Sequence, residues 1–132
     1  MATKLPTARR PVEWIGSSLD DLKAFPEEVR REVGHALYAA QTGGKHPSAK
    51  PLTGEKAFRG AGVLEIVEDH DGDTYRAVYT VRFEGAVYVL DAFQKKSKAG
   101  IATPRVGIER IKARLARARA HHQEHYQARE AG

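Results

Sequence analysis

A dense run of basic side chains lies in the C-terminal third of the sequence. Residues 94–119 contain nine lysines and arginines but one acid, Glu109, so this segment carries a charge of +8 in a 132-residue chain of net charge +5. The basic residues are Lys95, Lys96, Lys98, Arg105, Arg110, Lys112, Arg114, Arg117 and Arg119. Such a local field attracts polyanions, of which nucleic acid is the commonest in a cytoplasm. The segment therefore predicts nucleic-acid binding; a solvated basic helix, which could face an acidic protein partner, is the alternative.

The elements that position these residues follow from hydrophobic periodicity and turn signals. An apolar stripe from Val29 to Ala40 predicts an amphipathic helix, with Pro26 in its first turn and Gly43 and Gly44 after its end. The predicted helices are Leu19 to Ala24, Pro26 to Thr42, and a C-terminal helix from Thr103 and Pro104 to about Ala120. The predicted strands are Val63 to Asp69, Thr74 to Phe83 and Ala86 to Phe93, with Val12 to Ile15 as a possible fourth.

Two turn signals predict how the strands pair. Asp71-Gly72 and Glu84-Gly85 are interpreted as two-residue loops of an antiparallel meander. This register places Val67 opposite Arg76, and Arg76 opposite Phe93.

The same register divides the strand residues between two faces of the sheet. One face, with Leu64, Ile66, Tyr75, Ala77, Tyr79, Val81, Phe83, Tyr88, Leu90 and Ala92, is almost wholly apolar and should be covered by helices. The other includes Arg76, Val78, Thr80, Arg82, Val87, Val89, Asp91 and Phe93. Arg76, Asp91 and Phe93 are therefore expected to meet on a half-open surface, with Lys95 and Lys96 directly after them.

Length and composition favour one soluble domain. We expect residues 1–11 to form a flexible basic arm, residues 12–120 the folded domain, and residues 121–132 a frayed polar tail. Cysteine is absent, which excludes disulfides and cysteine-based metal sites or nucleophiles. No apolar run approaches the ~20 residues of a membrane span, and no secretory signal is recognisable, so the cytoplasm is the expected location.

Three segments together resemble a known family. They are GVLEIVEDHDGDTYRAVY at 62–79, YVLDAFQKKSK at 88–98, and the TPR sequence that precedes the basic helix. In this order they resemble the phage-derived HigB-like branch of the RelE/ParE superfamily, the toxins of type II toxin–antitoxin modules. The resemblance implies an α+β fold in which two N-terminal helices pack on a small twisted antiparallel sheet of three to four strands, with a C-terminal helix.

The resemblance also implies a function. RelE-like and HigB-like toxins cut messenger RNA on the ribosome, whereas ParE-like toxins inhibit DNA gyrase, and a small helix-turn-helix antitoxin neutralises the toxin. We expect this chain to be a ribosome-dependent, metal-independent mRNA endonuclease without a cofactor, held in an oligomer with its antitoxin. The antitoxin should cover the surface from Arg76 to Lys96 or hold the basic helix with an acidic segment. The alternatives are a gyrase inhibitor and a non-catalytic homologue that binds antitoxin and nucleic acid.

The candidate site residues follow from the chemistry of RNA cleavage by the adjacent 2′-hydroxyl. Fixed cations stabilise the charge that develops on the phosphate oxygens, so Arg76 and Lys95 are the candidate catalytic cations and Asp91 the candidate base. Lys96, Lys98, Arg82 and Phe93 are candidate RNA-binding residues, Phe93 through stacking on a base. No metal ligand is assigned.

Each assignment has a structural alternative. Arg76 could simply pair with Glu65 or Asp91 across the sheet, and Phe93 could be a core residue. Where this chain has Asp91, the branch commonly has histidine, which is the natural group for proton transfer.

Overall fold

The computed structural model has an α+β architecture with a five-stranded sheet between two helical layers. It describes residues 9–53, 55–58, 60, 62–95 and 105–127. The strands are β1 (Val12–Trp14), β2 (Ala49–Pro51), β3 (Val63–His70), β4 (Asp73–Thr80) and β5 (Val87–Lys95). The helices are α1 (Ser18–Lys23), α2 (Glu27–Gln41) and α3 (Arg105–His122), together with a 3₁₀ turn (Lys56–Phe58) and a π-helical turn (Gln123–Gln127).

The N-terminal helix pair forms where the sequence predicts it. In α2, Glu27 and Glu28 lie in the first turn, where carboxylates interact favourably with the helix dipole. The predicted apolar stripe is buried from Val29 to Ala40. Together with α1 it covers the face of the sheet that carries Ile66, which is fully buried.

The first hairpin has the predicted register. Asp71 and Gly72 connect β3 to β4 with φ angles of 52° and 83°, the left-handed conformation that this tight turn requires. Arg76 pairs with Val67 on β3 and with Phe93 on β5, as predicted.

The sheet is larger than predicted and is mixed rather than antiparallel. Its order is β1-β5-β4-β3-β2, and β1 runs parallel to β5. The β1–β5 ladder extends to the Ile15 amide, which donates to the carbonyl of Val89 at 3.0 Å. The strand β2 falls between Thr42 and Val63, a segment for which the sequence analysis predicts neither a helix nor a strand. β1 confirms the strand predicted at Val12 to Ile15, whereas β2 depends on pairing with β3 and its own three residues carry little signal.

The predicted loop at Glu84 and Gly85 is wrong, because residues 81–86 all lie between β4 and β5. A β-bulge accompanies this longer connection: Val78 pairs with Asp91, but Tyr79 pairs with Val89. Because the bulge adds one residue to β5, the β5 residues that precede it face the opposite side of the sheet from the one predicted. Tyr88 and Leu90, predicted on the face of Tyr79, therefore pack on the α3 side instead. Val87 and Val89, predicted on the opposite face, pack with the α1–α2 layer.

The second face of the sheet is covered, so the prediction of a half-open surface is wrong. Ile108, Ile111 and Leu115 of α3 are buried against Val78 and Leu90 on this face. The C-terminal helix was predicted, but the sheet residues that it covers were not, because the bulge changes which β5 side chains face it.

The helical conformation continues beyond the predicted end of the folded domain. Residues 121–127 are helical, which contradicts the predicted frayed tail for that part; residues 128–132 lie outside the described residues, as do residues 1–8 of the predicted arm. Tyr126 is held by its hydroxyl, which donates to Glu13 Oε2 at 2.5 Å. No helix within the described ranges combines the length and the apolar content that a bilayer span requires.

Candidate functional site

A cleft of about 400 Å³ lies where α1, the C-terminal half of β5 and the N-terminal half of α3 meet. Its walls combine aromatic, acidic and basic side chains. The lining residues are Ser17, Asp21, Ala24, Phe25, Tyr75, Asp91, Ala92, Phe93, Gln94, Arg110 and Arg114. The volume lies within the range of roughly 300–1,000 Å³ that small-ligand sites occupy. Two predicted site residues, Asp91 and Phe93, are among the lining residues.

Asp91 holds two arginines of α3 in place. Its Oδ2 accepts a hydrogen bond from Nε of Arg110 at 3.0 Å and lies 2.8 Å from Nη2 of the same guanidinium in an ion pair. Its Oδ1 accepts from Nη1 of Arg114 at 3.2 Å and from the amide of Ala92 at 3.0 Å. Asp91 is 1% exposed, and a charge buried this deeply needs such partners. A carboxylate with all these acceptor positions occupied is poorly placed to take a proton from a substrate.

Arg114 connects α3 to the segment that precedes α1. Its Nη1 also donates to the carbonyl of Leu90 at 2.9 Å, and its Nη2 donates to Ser17 Oγ at 3.1 Å. The Ser17 hydroxyl donates in turn to Asp21 Oδ2 at 2.7 Å. Gly16 allows this approach: its φ is +60°, and a Cβ there would lie 2.8 Å from Arg114 Nε. The guanidinium therefore depends on a glycine at position 16.

The described cleft residues carry no net formal charge, because they include two arginines and two aspartates. Their accessibility differs, however. The Arg110 side chain is 40% exposed, whereas those of Arg114 and Asp91 are 13% and 2% exposed. Among the described cleft residues, Arg110 therefore presents the cation most open to a ligand.

Arg76 is buried in an ion pair with Glu65. The Arg76 Nη1 and Glu65 Oε2 atoms are 3.0 Å apart, and the two side chains are 6% and 9% exposed. The predicted position on a half-open surface is therefore wrong for Arg76, as it is for Asp91. The structural alternative, pairing of Arg76 with Glu65 across the sheet, is confirmed. A guanidinium so enclosed reaches a phosphate only if its surroundings move.

The other predicted site residues are dispersed. Phe93 is half-buried in the cleft, while Arg82 lies in a separate cavity beside Arg119. Lys95 is the last residue of β5 and pairs with Thr74 through the backbone. Lys96 and Lys98 lie outside the described residues, so their predicted roles stay predictions.

Sequence reasoning missed Arg110 and Arg114 as site residues, although both were counted in the basic segment. Their spacing of four places them on the same face of a helix. That spacing was a usable signal, but it did not indicate the partner, because Asp91 comes from a strand 19 residues away from Arg110.

Three histidines near the end of α3 pack with aromatic rings and with each other. The rings of His121 and His125 stack 4.0 Å apart, and the ring of His122 stacks on Tyr126 at 5.1 Å. His122 Nε2 lies 2.7 Å from the carbonyl oxygen of Glu84, so this nitrogen carries a proton and donates. Within the part of the chain that the structure describes, no three histidine or carboxylate side chains are grouped as a metal site requires.

Residues 20–116 match the family model described as Phage derived protein Gp49-like (DUF891). The chain belongs to this family. Most of the cleft residues of this Gp49-like chain, from Asp21 to Arg114, lie within the matched region. The cavity that contains Arg82 lies only partly within the matched region, because its lining residues Arg119, His122 and Tyr126 follow residue 116.

Solved structures with a similar fold include a double mutant of the toxin RelE from E. coli in the free state. It aligns with a TM-score of 0.51 and 17% identity, over 83% of this chain and 97% of that one. The toxin–antitoxin complex RelBE2 from Mycobacterium tuberculosis aligns with a TM-score of 0.44 and 20% identity, over 69% of this chain and 97% of that one. A comparison with curated proteins gave no match.

The Gp49-like family membership and the fold shared with RelE agree with the resemblance on which the sequence prediction rests. At such low identity the likeness to RelE concerns the fold. The narrower assignment of this Gp49-like chain to the HigB-like branch stays a prediction.

Proposed function

We propose that this Gp49-like protein is the toxin of a type II toxin–antitoxin module and cleaves messenger RNA on the ribosome without a metal ion. The observation that supports this proposal is the cleft, in which the exposed Arg110 side chain is held by Asp91 and the aromatic Phe93 lines the same cleft. In RNA cleavage the 2′-oxygen bonds to phosphorus as the bond to the 5′-oxygen breaks, with water taking the 2′-hydroxyl proton and supplying one to the leaving oxygen. A preorganised guanidinium stabilises the charge that develops on the phosphate oxygens.

In this proposal Arg110 binds the scissile phosphate. Asp91 acts as a positioning residue, since it holds the Arg110 side chain through a hydrogen bond and an ion-pair contact. Phe93 stacks on a neighbouring base. Lys95, Lys96 and Lys98 keep their predicted roles at the phosphate and along the RNA strand, whereas Arg76 supports the sheet through its pair with Glu65.

A non-catalytic toxin homologue is the second candidate. The burial of Asp91 and Arg76 and the balanced charge of the described cleft residues favour it. Such a protein would retain the antitoxin-binding surface while lacking a group for proton transfer in the cleft.

Controlled expression in growing bacteria distinguishes the candidates. The nuclease predicts growth arrest with cleaved transcripts, mapped by sequencing of RNA 5′ ends. An SOS response would instead indicate a gyrase inhibitor, and normal growth with folded protein would favour the non-catalytic homologue.

The Arg110→Gln variant tests the assigned cation. Loss of one preorganised donor to a developing oxyanion typically lowers rates by about 10²–10³, so transcript cleavage should fall by that order. The matched control is Arg117→Gln, which removes the same charge from an exposed position of α3 outside the cleft. Equal cleavage by Arg110→Gln and the unchanged protein would contradict the role of Arg110.

We also propose that a helix-turn-helix antitoxin neutralises the toxin. Because Arg76 is buried, the exposed basic face of α3, including Arg110 and Arg117, is the more suitable surface for an acidic antitoxin segment. Binding measured with purified partners should weaken as salt is raised. Absence of affinity at moderate salt would contradict this proposal.

A further inference from the structure

A second cavity, of about 320 Å³, lies at the other end of α3 from the cleft. The loop between β4 and β5 contributes Arg82, Phe83 and Glu84, and the helix contributes Arg119, His122 and Tyr126. Nine residues separate Arg119 from Arg110, which corresponds to roughly 14 Å along a helix axis. The two depressions are therefore distinct.

Two arginines give this cavity a positive rim. Arg82 and Arg119 are both exposed, and with the single carboxylate of Glu84 they leave a net charge of +1. Arg119 lies over the ring of Phe83, with its Cζ atom 5.5 Å from the ring centroid. This contact restricts the guanidinium without using its N–H groups, which can therefore donate hydrogen bonds to phosphate oxygens.

The wall of the cavity is built from stacked planar rings. The centroid of the His122 ring lies 5.4 Å from that of Phe83 and 5.1 Å from that of Tyr126, on which it stacks. His122 is 4% exposed, and its Nδ1 has no hydrogen-bond partner among the described residues, since Nε2 donates to the Glu84 carbonyl. In the neutral ring Nδ1 is an acceptor. The cavity thus combines cations with aromatic surface and an unused buried acceptor.

The helix is irregular at this position. Residues Gln123–Gln127 form a π-helical turn directly after His122. Such turns are rare and occur frequently at functional sites. Here the wider turn accompanies the placement of the Tyr126 ring parallel to His122, with an interplanar angle of 10°.

We propose that this cavity binds the phosphate group of a nucleotide, either free or within an RNA strand. The volume lies at the lower end of the usual range for ligand sites. The guanidinium groups of Arg119 and of Arg82, which also donates to the Gly60 carbonyl at 3.4 Å, suit phosphate oxygens. Tyr126 is half-buried where Phe83 and His122 are buried, so it is the ring accessible to the planar base. This inference does not require the cleft to be catalytic, and it assigns Arg82 to a different site from Phe93.

Titration calorimetry with adenosine 5′-monophosphate tests the proposal on the full-length protein. Arg119→Gln and Arg82→Gln should each weaken binding by roughly tenfold, the usual effect of losing a hydrogen bond to a charged group. Arg119→Lys, which keeps the charge, should retain part of the affinity. Arg117→Gln is the control and should bind as the unchanged protein does, so this result is independent of any nuclease activity.

An RNA hexanucleotide distinguishes the two sources of the phosphate. An RNA strand is identified if the hexanucleotide binds more tightly than the monophosphate and if Arg119→Gln reduces the magnitude of the slope of log K against log salt concentration by about 0.7. Equal affinity for the monophosphate would identify a free nucleotide, and both results support the site. The proposal is overturned if Arg119→Gln, folded by circular dichroism, binds the monophosphate as tightly as the unchanged protein. It is also overturned if a glutamate-rich peptide competes equally well.

Discussion

Replacing Asp91 by asparagine removes the charge that two arginines share and nearly preserves the side-chain shape. The distances in the Asp91–Arg110 and Asp91–Arg114 ion pairs and the burial of the two arginines predict opposite orders of interaction energy. The contact of Arg110 is shorter, 2.8 Å against 3.2 Å for Arg114, but the Arg110 side chain is 40% exposed and that of Arg114 is 13% exposed. The variant therefore tests whether distance or burial determines the energy.

The magnitudes favour burial. Two unit charges 4 Å apart attract by about 1 kcal/mol in water and by about 4 kcal/mol at an effective dielectric constant of 20. Exposed pairs accordingly contribute about 0.2–1 kcal/mol in measured cycles. We expect a coupling energy of about 2 kcal/mol between Asp91 and Arg114, and less than about 1 kcal/mol between Asp91 and Arg110. Asp91→Asn alone should cost about 3 kcal/mol, because it leaves Arg114 enclosed without its anion.

Double-mutant cycles measured by urea unfolding give these couplings directly. The cycles use Asp91→Asn with Arg114→Gln and, separately, with Arg110→Gln. Arg117→Gln is the matched control and should show no coupling with Asp91→Asn.

A larger coupling to Arg110 than to Arg114 would refute the reasoning. It would mean that the shorter contact outweighs solvent screening at this position, and that the Asp91–Arg110 pair contributes more to stability than its exposure indicates.

Three further outcomes are expected. Burial raises the pKa of Tyr79 to about 12, above the unfolded value of about 10, so its contribution to stability is present below pH ~10 and is lost as pH rises through ~12. The Tyr79 hydroxyl has no hydrogen-bond partner among the described residues, so Tyr79→Phe should raise the free energy of unfolding by about 1 kcal/mol at pH 7. Urea titrations should also show a smaller loss of stability at alkaline pH for this variant. A lower stability of Tyr79→Phe at pH 7 would contradict this. Gly16→Ala and Gly72→Ala both introduce a side chain at positive φ, but at Gly72 the space is open, so melting should show about 1 kcal/mol of loss for Gly72→Ala and a clearly larger loss for Gly16→Ala. Arg76→Ala should cost about 3–5 kcal/mol because it leaves Glu65 buried without its partner, whereas the apolar double variant Arg76→Met/Glu65→Leu should recover most of that loss; if this stable double variant kept full toxicity, Arg76 would have no catalytic role.

Local signals explain why much of the fold is predictable from the sequence. The stripe from Val29 to Ala40 has one periodicity and clear ends, and α2 matches the predicted helix from Pro26 to Thr42 within a residue at each end. Asp71-Gly72 determines a tight turn through backbone conformation alone, so the pairing of Arg76 with Phe93 follows by counting.

The site is less predictable because it depends on side chains that lie far apart in the sequence. The pattern of residue types along the strands suggested that Arg76, Asp91 and Phe93 share an open surface. Helix α3 covers that face instead and supplies Arg110 and Arg114 as partners for Asp91. A charged residue in a strand is equally compatible with exposure and with burial in an ion pair, and only the partner decides between them.

The sequence by itself determined the helices, the first hairpin, the basic character of residues 94–119 and the family resemblance, because each is encoded in neighbouring residues or in direct motif similarity. The tertiary structure decided the parallel pairing of β1 with β5, the bulge that moves Tyr88 and Leu90 to the α3 side, and the grouping of Arg82 with Arg119. The physical reason is that these features come from contacts across the sheet and between layers, where packing and ion pairing select one arrangement among several that the local sequence allows.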